Sequence, residues 1–447
     1  MEEDKQADDY YQLLIKARNV HSSLLQYLDY EKLNKIPADF PSKREFLLKE
    51  IQRIQRVDKV FDSEMDIDLL NAVVDEVLGF GPLETLLRDK SVTDILVNGY
   101  NSIFIEKEGK LTKTCIRFID DEHLYRLLQK ESAKAGHHID LGNPHLSAQL
   151  SDGSRMHAMI PPIAINGVKL SIRKFLFKKL PPERLLELES ISPEMLKFLQ
   201  IAVQARFNIV ICGGTGSGKT TLLNILLDSV PDEERVLTIE DTPELEPTHH
   251  HVVRLVTRTP NPEGEGGISQ EDLMIDALRM RPDRVVLGEL RGAEAFNLLH
   301  AMNTGQDGSM VTLHASGAEE ALMRLQNMIL MVKYSISQES VRQQITGAVD
   351  IVVYQARLVD GSRRIMMISQ VKHGSKGDMT VDPLFQYNIH KISKNSIKGS
   401  FQKFSPPLSE RLKNKLIVAG LYEDYCQLMF KNKHHSQEVG VQSDDNT

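Results

Sequence analysis

The stretch that decides the fold is Gly213–Thr220, which reads GGTGSGKT and is followed by a second threonine, Thr221. Its spacing, a glycine, four residues and then Gly-Lys-Thr, is typical of a phosphate-binding loop. The apolar run at 207–212 (FNIVIC) predicts a buried strand before the loop, and 221–227 (TLLNILL) predicts a helix after it. A glycine-rich turn at a helix N-terminus points several backbone N–H groups at one anion. This order of strand, loop and helix predicts a nucleotide site.

Every residue of the loop is a candidate nucleotide contact. The Lys219 ammonium is expected to contact the β- and γ-phosphates of ATP, and the Thr220 hydroxyl is expected to bind Mg²⁺. The full set of candidates is Gly213, Gly214, Thr215, Gly216, Ser217, Gly218, Lys219, Thr220 and Thr221.

Three more apolar runs, each followed or ended by a polar side chain, come after the loop. They are LTIED with Glu240 and Asp241, RVVLGEL with Glu289, and MVTLHA with His314. Because ligands of parallel sheets lie at the carboxyl ends of the strands, we expect these side chains near the γ-phosphate.

Each of these side chains has an expected role and an alternative. Glu289 is placed to hold Mg²⁺, and Glu240 is placed to polarise the attacking water. His314 is expected to hydrogen-bond the γ-phosphate or to report its loss. The alternatives are a surface acid pair that caps a turn, for Glu240 and Asp241, and a structural histidine, for His314.

Length and composition exclude several classes of protein. A chain of 447 residues, 41% hydrophobic and 26% charged, is expected to form two or three globular domains. A net charge of −8 argues against a large nucleic-acid surface, so no direct nucleic-acid binding is expected. The scattered cysteines, Cys115, Cys212 and Cys426, suggest neither a disulfide framework nor a zinc ribbon. No apolar run is long enough to span a bilayer, and the acidic start MEEDKQADD is unlike a signal peptide.

Changes in pattern along the chain predict an α/β protein of several parts. Strands alternate with helices from 207 to about 355, which predicts a largely parallel sheet covered on both faces. The last ninety residues look less regular, apart from a hairpin at 350–371 and a helix at 407–419. The predicted parts are a helical arm (1–78), a mixed α/β N-terminal domain (79–175), a linker (176–190), the ATPase domain (191–358), a C-terminal extension (359–430) and a disordered tail (431–447). The apolar stripe of the arm is either a docking surface or internal packing.

Four long strings in the same order resemble the secretion ATPases of the type II/type IV superfamily. They are GFGPLETLL (79–87), VTDILVNG (92–99), LRMRPDRVVLGELRG (278–292) and AMNTGQDGSMVTLHA (301–315). Among these ATPases, the tight-adherence (Tad/Flp) pilus assembly branch is the most similar. In that family Glu240 would lie in the acidic box, Glu289 in the Walker B strand and His314 in the histidine box.

The resemblance implies a RecA-like P-loop motor domain and a homohexamer at the cytoplasmic face of the inner membrane. ATP hydrolysis with Mg²⁺ would drive pilus assembly or protein secretion, and the partner would be an inner-membrane platform protein. The resemblance also implies catalytic arginines supplied to a neighbouring subunit, at Arg155 and Arg173. A third arginine of the family is replaced here by Gln149.

Three other functions fit parts of the same sequence. A DNA-transfer or effector-secretion (type IV) ATPase would use the same chemistry on a different cargo. A nucleotide-gated scaffold with weak hydrolysis is favoured only by Gln149. A nucleic-acid helicase is disfavoured by the negative charge and by the lack of an aromatic and basic groove.

Overall fold

The computed structural model describes most of the chain. The described residues are 2–24, 40–58, 66–107, 109–150, 152–174, 180–258, 260, 264–332, 336–374, 377–393 and 396–430. The chain divides into two compact units, one made of 1–177 and 261–265 and the other of 178–260 and 266–447. The expected disordered tail and the first four residues of the expected linker, 176–179, lie outside the described residues.

The described part of the helical arm folds on itself. Its helices are α1 (Glu2–Leu24), α2 (Phe40–Asp58) and α3 (Ile67–Leu78). Asp66 begins α3, because its side chain accepts a hydrogen bond from the backbone N–H of Leu69. Ala17 and Leu24 of α1 are fully buried in one cluster with apolar residues of α2 and α3. The apolar stripe on α1 is therefore internal packing.

The rest of the first unit is an antiparallel sheet with helices. Of the residues described there, six strands pair in the order β3-β2-β1-β6-β5-β4. They are β1 (Val92–Val97), β2 (Ile103–Lys107), β3 (Lys110–Lys113), β4 (His145–Gln149), β5 (Arg155–Met159) and β6 (Lys169–Arg173). The helices are a 3₁₀ turn (Gly81–Leu83), α4 (Glu84–Arg88) and α5 (Asp121–Lys134). The expected mixed α/β N-terminal domain is therefore confirmed.

Charged side chains of α5 contact the end of α3. His123 Nε2 lies 2.5 Å from Glu76 Oε1, and both side chains are almost fully buried. Lys130 Nζ donates hydrogen bonds of 2.6 Å to the carbonyls of Glu76 and Gly79. Burial lowers the pKa of Lys130 to about 8. These contacts satisfy carbonyls that the last turn of α3 leaves without a helical partner.

The second unit is built on one large sheet. Within its described residues, nine strands pair in the order β15-β14-β13-β12-β7-β11-β10-β8-β9. The parallel strands are β7 (Ile209–Gly213), β8 (Val236–Glu240), β9 (Val252–Val256), β10 (Arg284–Leu287), β11 (Met310–Leu313) and β12 (Ile351–Arg357). The helices around them are α6 (Pro182–Glu187), α7 (Pro193–Gln204), α8 (Lys219–Leu227), α9 (Gln270–Arg279), α10 (Glu294–Asn303), α11 (Ala318–Val332) and α12 (Gln338–Ala348). The prediction of a parallel sheet is confirmed.

Both faces of the parallel strands are buried. Ile209 and Ile211 of β7 pack in one apolar cluster with α7 and α8. The alternate residues Val210 and Cys212 pack in a second cluster with α9 to α12. Each fully buried aliphatic side chain contributes about 1.5–3 kcal/mol, so the strands are held from both sides. This is the α/β architecture expected for a RecA-like P-loop domain.

The sheet continues beyond the expected hairpin. The antiparallel strands β13 (Arg363–His373), β14 (Met379–Ser393) and β15 (Ser396–Lys403) extend it, and helices α13 (Glu410–Val418) and α14 (Tyr422–Phe430) follow. The expectation of a less regular C-terminal region is therefore wrong. Most of β14 is only partly buried, so its sequence lacks a strong apolar alternation. The described part of the expected linker is also regular, because it forms α6 and buries Leu185.

A buried arginine fixes the start of β10. The Arg284 side chain is fully buried and makes two hydrogen bonds to Glu234, of 2.5 and 3.0 Å. Its Nη1 also donates to the carbonyl of Val203, at 2.7 Å. A Cβ added to Gly308 would lie 2.7 Å from the same Nη1, so only glycine fits beside the guanidinium. The Arg284 guanidinium therefore joins the start of β10 to Glu234 and to Val203 of α7.

Candidate functional site

The glycine-rich loop has the backbone conformation that its sequence predicts. Strand β7 ends at Gly213 and helix α8 begins at Lys219. Gly216 has φ 69° and Gly218 has φ 98°, a left-handed region that favours glycine. A Cβ on Gly213 would lie 2.2 Å from the carbonyl oxygen of Gln355 on β12, so this glycine allows two strands to approach closely.

The polar side chains of the loop itself differ in burial and in hydrogen bonding. Lys219 is almost fully buried, and its Nζ donates to the carbonyls of Gly213 at 3.2 Å and Gly214 at 3.1 Å. The Ser217 hydroxyl is buried and makes no hydrogen bond to the residues described. Thr220 and Thr221 lie half-buried in the first turn of α8, and Thr215 is exposed.

The sheet brings the three predicted strand ends to the edge where the loop lies. Strands β8, β10, β11 and β7 are consecutive neighbours and run parallel. Glu240 is the last residue of β8, Glu289 follows β10 by two residues, and His314 directly follows β11.

Glu289 contacts two basic side chains. His314 Nε2 lies 2.5 Å from its Oε1, and Arg291 Nε donates to its Oε2 at 2.9 Å. Arg291 Nη1 also donates to Asp241 Oδ2 at 2.8 Å, so one guanidinium joins the acids that follow two strands. Burial and the nearby Lys219 ammonium lower the pKa of His314.

Glu240 has a different environment. Its side chain is 2% exposed, and Oε1 accepts hydrogen bonds from the backbone N–H groups of Glu244 (2.7 Å) and Leu245 (2.8 Å). Its Oε2 is buried and makes no hydrogen bond within the described part of the chain. Burial raises the pKa of Glu240 to about 7. One oxygen therefore caps the next turn, as in the alternative interpretation, but the acid is buried and not at the surface. The other oxygen stays available for a proton.

Arg291 is a site residue that the sequence interpretation missed. Glu294 holds the turn around it, because its Oε1 accepts from the backbone N–H groups of Arg291 at 2.7 Å and Gly292 at 2.8 Å. A signal was present in the sequence, since an arginine two residues after a strand-end acid can fold back on that acid. Only the sheet order shows that it also reaches Asp241.

The two arginines expected to act in another subunit lie in the first unit. Arg155 on β5 pairs with Arg173 on β6 and with Gln149 on β4. Directly opposite residues of an antiparallel pair share one face. These three positions therefore form one row on one face of the N-terminal sheet, with Arg173 and Gln149 exposed.

The residues of the loop fit a triphosphate and Mg²⁺. The orphaned Ser217 hydroxyl, the two left-handed glycines and the Lys219 ammonium form a cradle of donors for phosphate oxygens. No cluster of three or more acidic, histidine or cysteine side chains that could hold a metal occurs in the described ranges. Mg²⁺ needs no such cage, because it commonly takes one or two protein ligands and completes its shell with phosphate and water. Thr220 and Glu289 carry oxygen atoms of the kind that serve as these one or two protein ligands.

Known proteins are similar to this chain over the same region. A family model described as "Type II/IV secretion system protein" matches residues 76–380. A Mycobacterium tuberculosis protein with a provisional conjugal-transfer name is 36% identical over 309 residues, 68% of this chain and 87% of its own. The type IV secretion system protein PtlH of Bordetella pertussis is 33% identical over 312 residues, 63% of this chain and 91% of its own.

A solved structure, the VirB11 ATPase of Brucella suis with sulphate, is 29% identical and covers 67% of this chain and 96% of its own, with a TM-score of 0.36. The relationship therefore rests on the sequence matches. None of the described helices is both long and apolar enough to cross a lipid bilayer. The match over residues 76–380 spans most of the chain and includes the glycine-rich loop and all three strand ends. The chain belongs to the type II/IV secretion system protein family, whose members include secretion ATPases.

Proposed function

We propose that this chain hydrolyses ATP at the cytoplasmic face of the inner membrane to power Flp/Tad-type pilus assembly or protein secretion. It would act as a homohexamer and engage an inner-membrane platform protein. The observation that supports this most directly is the contact of Glu289 with His314 at the sheet edge beside the phosphate loop. A strand-end acid held by a neighbouring side chain is what positioning of Mg²⁺ and phosphate requires.

The side chains divide the work at this edge. Lys219 and the loop amides bind the phosphates, while Thr220 and Glu289 hold Mg²⁺, which neutralises charge on the leaving phosphate. Glu240 serves as the base that orients water, since a base with a pKa near 7 is effective at neutral pH. His314 keeps Glu289 in place and senses the γ-phosphate.

Arg155 and Arg173 supply positive charge to the site of a neighbouring subunit. Arginine on a transferring phosphoryl group raises rates by orders of magnitude, and both guanidinium groups lie in one row on one face. Gln149 continues this row without a charge, so we expect slower turnover than with a third arginine at that position.

A second candidate is an ATPase that drives DNA transfer or type IV effector secretion. The names of the relatives favour it, since they are assigned to type IV secretion and, provisionally, to conjugal transfer. The chemistry at the site would be the same, and only the cargo and the membrane partner would differ.

The test compares Lys219→Ala with Lys197→Ala, which changes an exposed lysine of α7. Calorimetry should show Mg·ATP binding and a phosphate-release assay should show turnover for the wild type and K197A, and neither for K219A. Size measurement with and without nucleotide checks for the hexamer. A wild type that ignores Mg·ATP would refute the proposal, and binding without phosphate release would favour a nucleotide-gated scaffold. Pilus output or cargo export in cells then separates the two candidates.

A further inference from the structure

Two arginines lie side by side near the phosphate loop, outside the motifs described above. Arg357 on β12 pairs directly with Arg363 on β13, and both side chains are exposed. Directly opposite residues of an antiparallel pair have Cβ atoms about 4.5–5.5 Å apart, and like charges at that spacing are destabilising. An anion between or beside the two guanidinium groups reduces this repulsion.

Both arginines reach the loop itself. Arg363 Nε donates a 2.8 Å hydrogen bond to the carbonyl of Gly216. A Cβ added to Gly216 would lie 3.7 Å from Arg357 Nη1, and one on Gly218 would lie 3.4 Å from Arg363 Cδ. The arginine pair therefore borders the two glycines whose left-handed backbone shapes the phosphate cradle.

A buried amide completes the group. Gln355 lies two residues before Arg357 on β12, so the two side chains share a face of the sheet. Gln355 is 2% exposed, and its Oε1 makes no hydrogen bond within the described part of the chain. Its Nε2 lies 3.0 Å from the place of a Cβ on Gly218. A buried acceptor without a hydrogen-bond partner destabilises the fold, so a donor from a bound ligand would stabilise this oxygen.

The sheet order separates these groups from the acids. Strands β12 and β13 lie on one side of β7, while β11, β10 and β8, which carry His314, Glu289 and Glu240, lie on the other. A nucleotide with its terminal phosphate toward the acids therefore directs its nucleoside end toward β12 and β13.

We propose that Gln355, Arg357 and Arg363 form the subsite for the nucleoside end of the bound nucleotide, its α-phosphate and ribose. This inference rests on the proposed ATPase function. The guanidinium groups pair with α-phosphate oxygens, for which arginine is well suited. The Gln355 amide oxygen accepts a hydrogen bond from a ribose hydroxyl. The C-terminal strands thus take part in nucleotide binding as well as in the sheet.

Calorimetry on the full chain tests this with three ligands: Mg·ATP, Mg·ADP and inorganic phosphate. Arg357→Gln and Arg363→Gln should each weaken ATP and ADP binding by the same factor, at least about tenfold. The affinity for inorganic phosphate, which has neither a ribose nor a second phosphate group, should change by less than about twofold. Lys398→Gln, an exposed lysine on β15, is the control and should leave all three affinities unchanged.

Three results would overturn the assignment. If circular dichroism shows that the arginine variants are folded and they bind ADP like the wild type, the assignment of this subsite is refuted. An equal loss for inorganic phosphate and ADP would show that the arginines only shape the loop. A wild type that binds neither ATP nor ADP would refute the ATPase proposal itself and this subsite with it.

Discussion

His314 Nε2 and Glu289 Oε1 lie 2.5 Å apart, which joins the ends of the neighbouring strands β11 and β10. Burial and the Lys219 ammonium lower the pKa of His314, which favours the neutral ring. A neutral ring with its proton on Nε2 would donate to this carboxylate. A neutral donor orients Glu289 without cancelling its charge. The positive charge beside Glu289 comes instead from Arg291, whose Nε donates to its Oε2 at 2.9 Å.

The first prediction concerns this donor. His314→Ala should lower kcat by about 10- to 100-fold, as loss of a residue that orients a metal-binding acid commonly does. His314→Gln should retain more activity, because a glutamine amide can place an N–H group near the position of Nε2. Steady-state ATPase kinetics measure both. Equal defects in the two variants would show that hydrogen-bond donation is not the role of His314.

The second prediction concerns Glu240 and pH. Burial raises the pKa of this carboxyl from 4.5 to about 7, so the folded chain holds the proton more tightly than the unfolded chain. The contribution of Glu240 to the free energy of unfolding is therefore full below pH 4.5 and is lost as pH rises toward 7. At pH 8, Glu240→Gln should be more stable than the wild type by up to about 3 kcal/mol.

Urea denaturation at pH 5 and pH 8 checks this difference. Glu233→Gln removes an exposed acid and serves as the control, with no comparable gain expected. Phosphate release should fall in E240Q, because a neutral amide cannot take a proton from water. A stability difference that is the same at both pH values would contradict the raised pKa.

The third prediction compares two adjacent glycines of the loop. A Cβ on Gly213 would lie 2.2 Å from a backbone oxygen of Gln355, whereas a Cβ on Gly214 meets no atom within 4 Å. Gly213→Ala should therefore cost about 1–3 kcal/mol through overpacking, and Gly214→Ala should change stability by less than about 0.5 kcal/mol. Thermal melts without nucleotide measure both, and equal melting temperatures would argue against the close approach of β7 and β12.

The fourth prediction concerns the buried pair Glu76 and His123 of the first unit. Removing one partner, as in Glu76→Leu or His123→Leu, should cost about 3–5 kcal/mol, because it leaves a buried polar group alone. The double variant should cost less than the sum of the two. A double-mutant cycle of denaturation midpoints measures the coupling, and strict additivity would show that the two side chains act independently.

The edge of the sheet that carries the site could be predicted from the sequence. A glycine-rich loop between a strand and a helix has few backbone solutions, and parallel strands place their carboxyl ends together. The positions of Glu240, Glu289 and His314 follow from these two rules. Their partners do not follow, because Arg291 reaches Asp241 across 50 positions and Arg363 reaches Gly216 across 147. Such contacts depend on strand order, which local pattern does not encode.

The C-terminal strands could not be predicted for a related reason. Strand β14 buries only a few of its fifteen residues, so it lacks the continuous apolar run that marks a strand in the parallel part of the sheet. Its few buried side chains include Leu384 and Phe385, which pack in the core, and Tyr387, which contacts Phe401 of β15. The sequence therefore identified the hairpin at 350–371 but not its continuation.

In the motor proposed above, the buried Arg284 would limit how mechanical work leaves the site. Because its buried guanidinium holds the beginning of β10, that strand cannot slide without exposing or breaking an ion pair in the protein interior. Strand β10 is therefore fixed at its beginning by Arg284, and Glu289 lies just beyond its other end. Displacement produced by the proposed reaction would then pass through the loops that follow the strands and through the helices attached to them, while the sheet stays fixed.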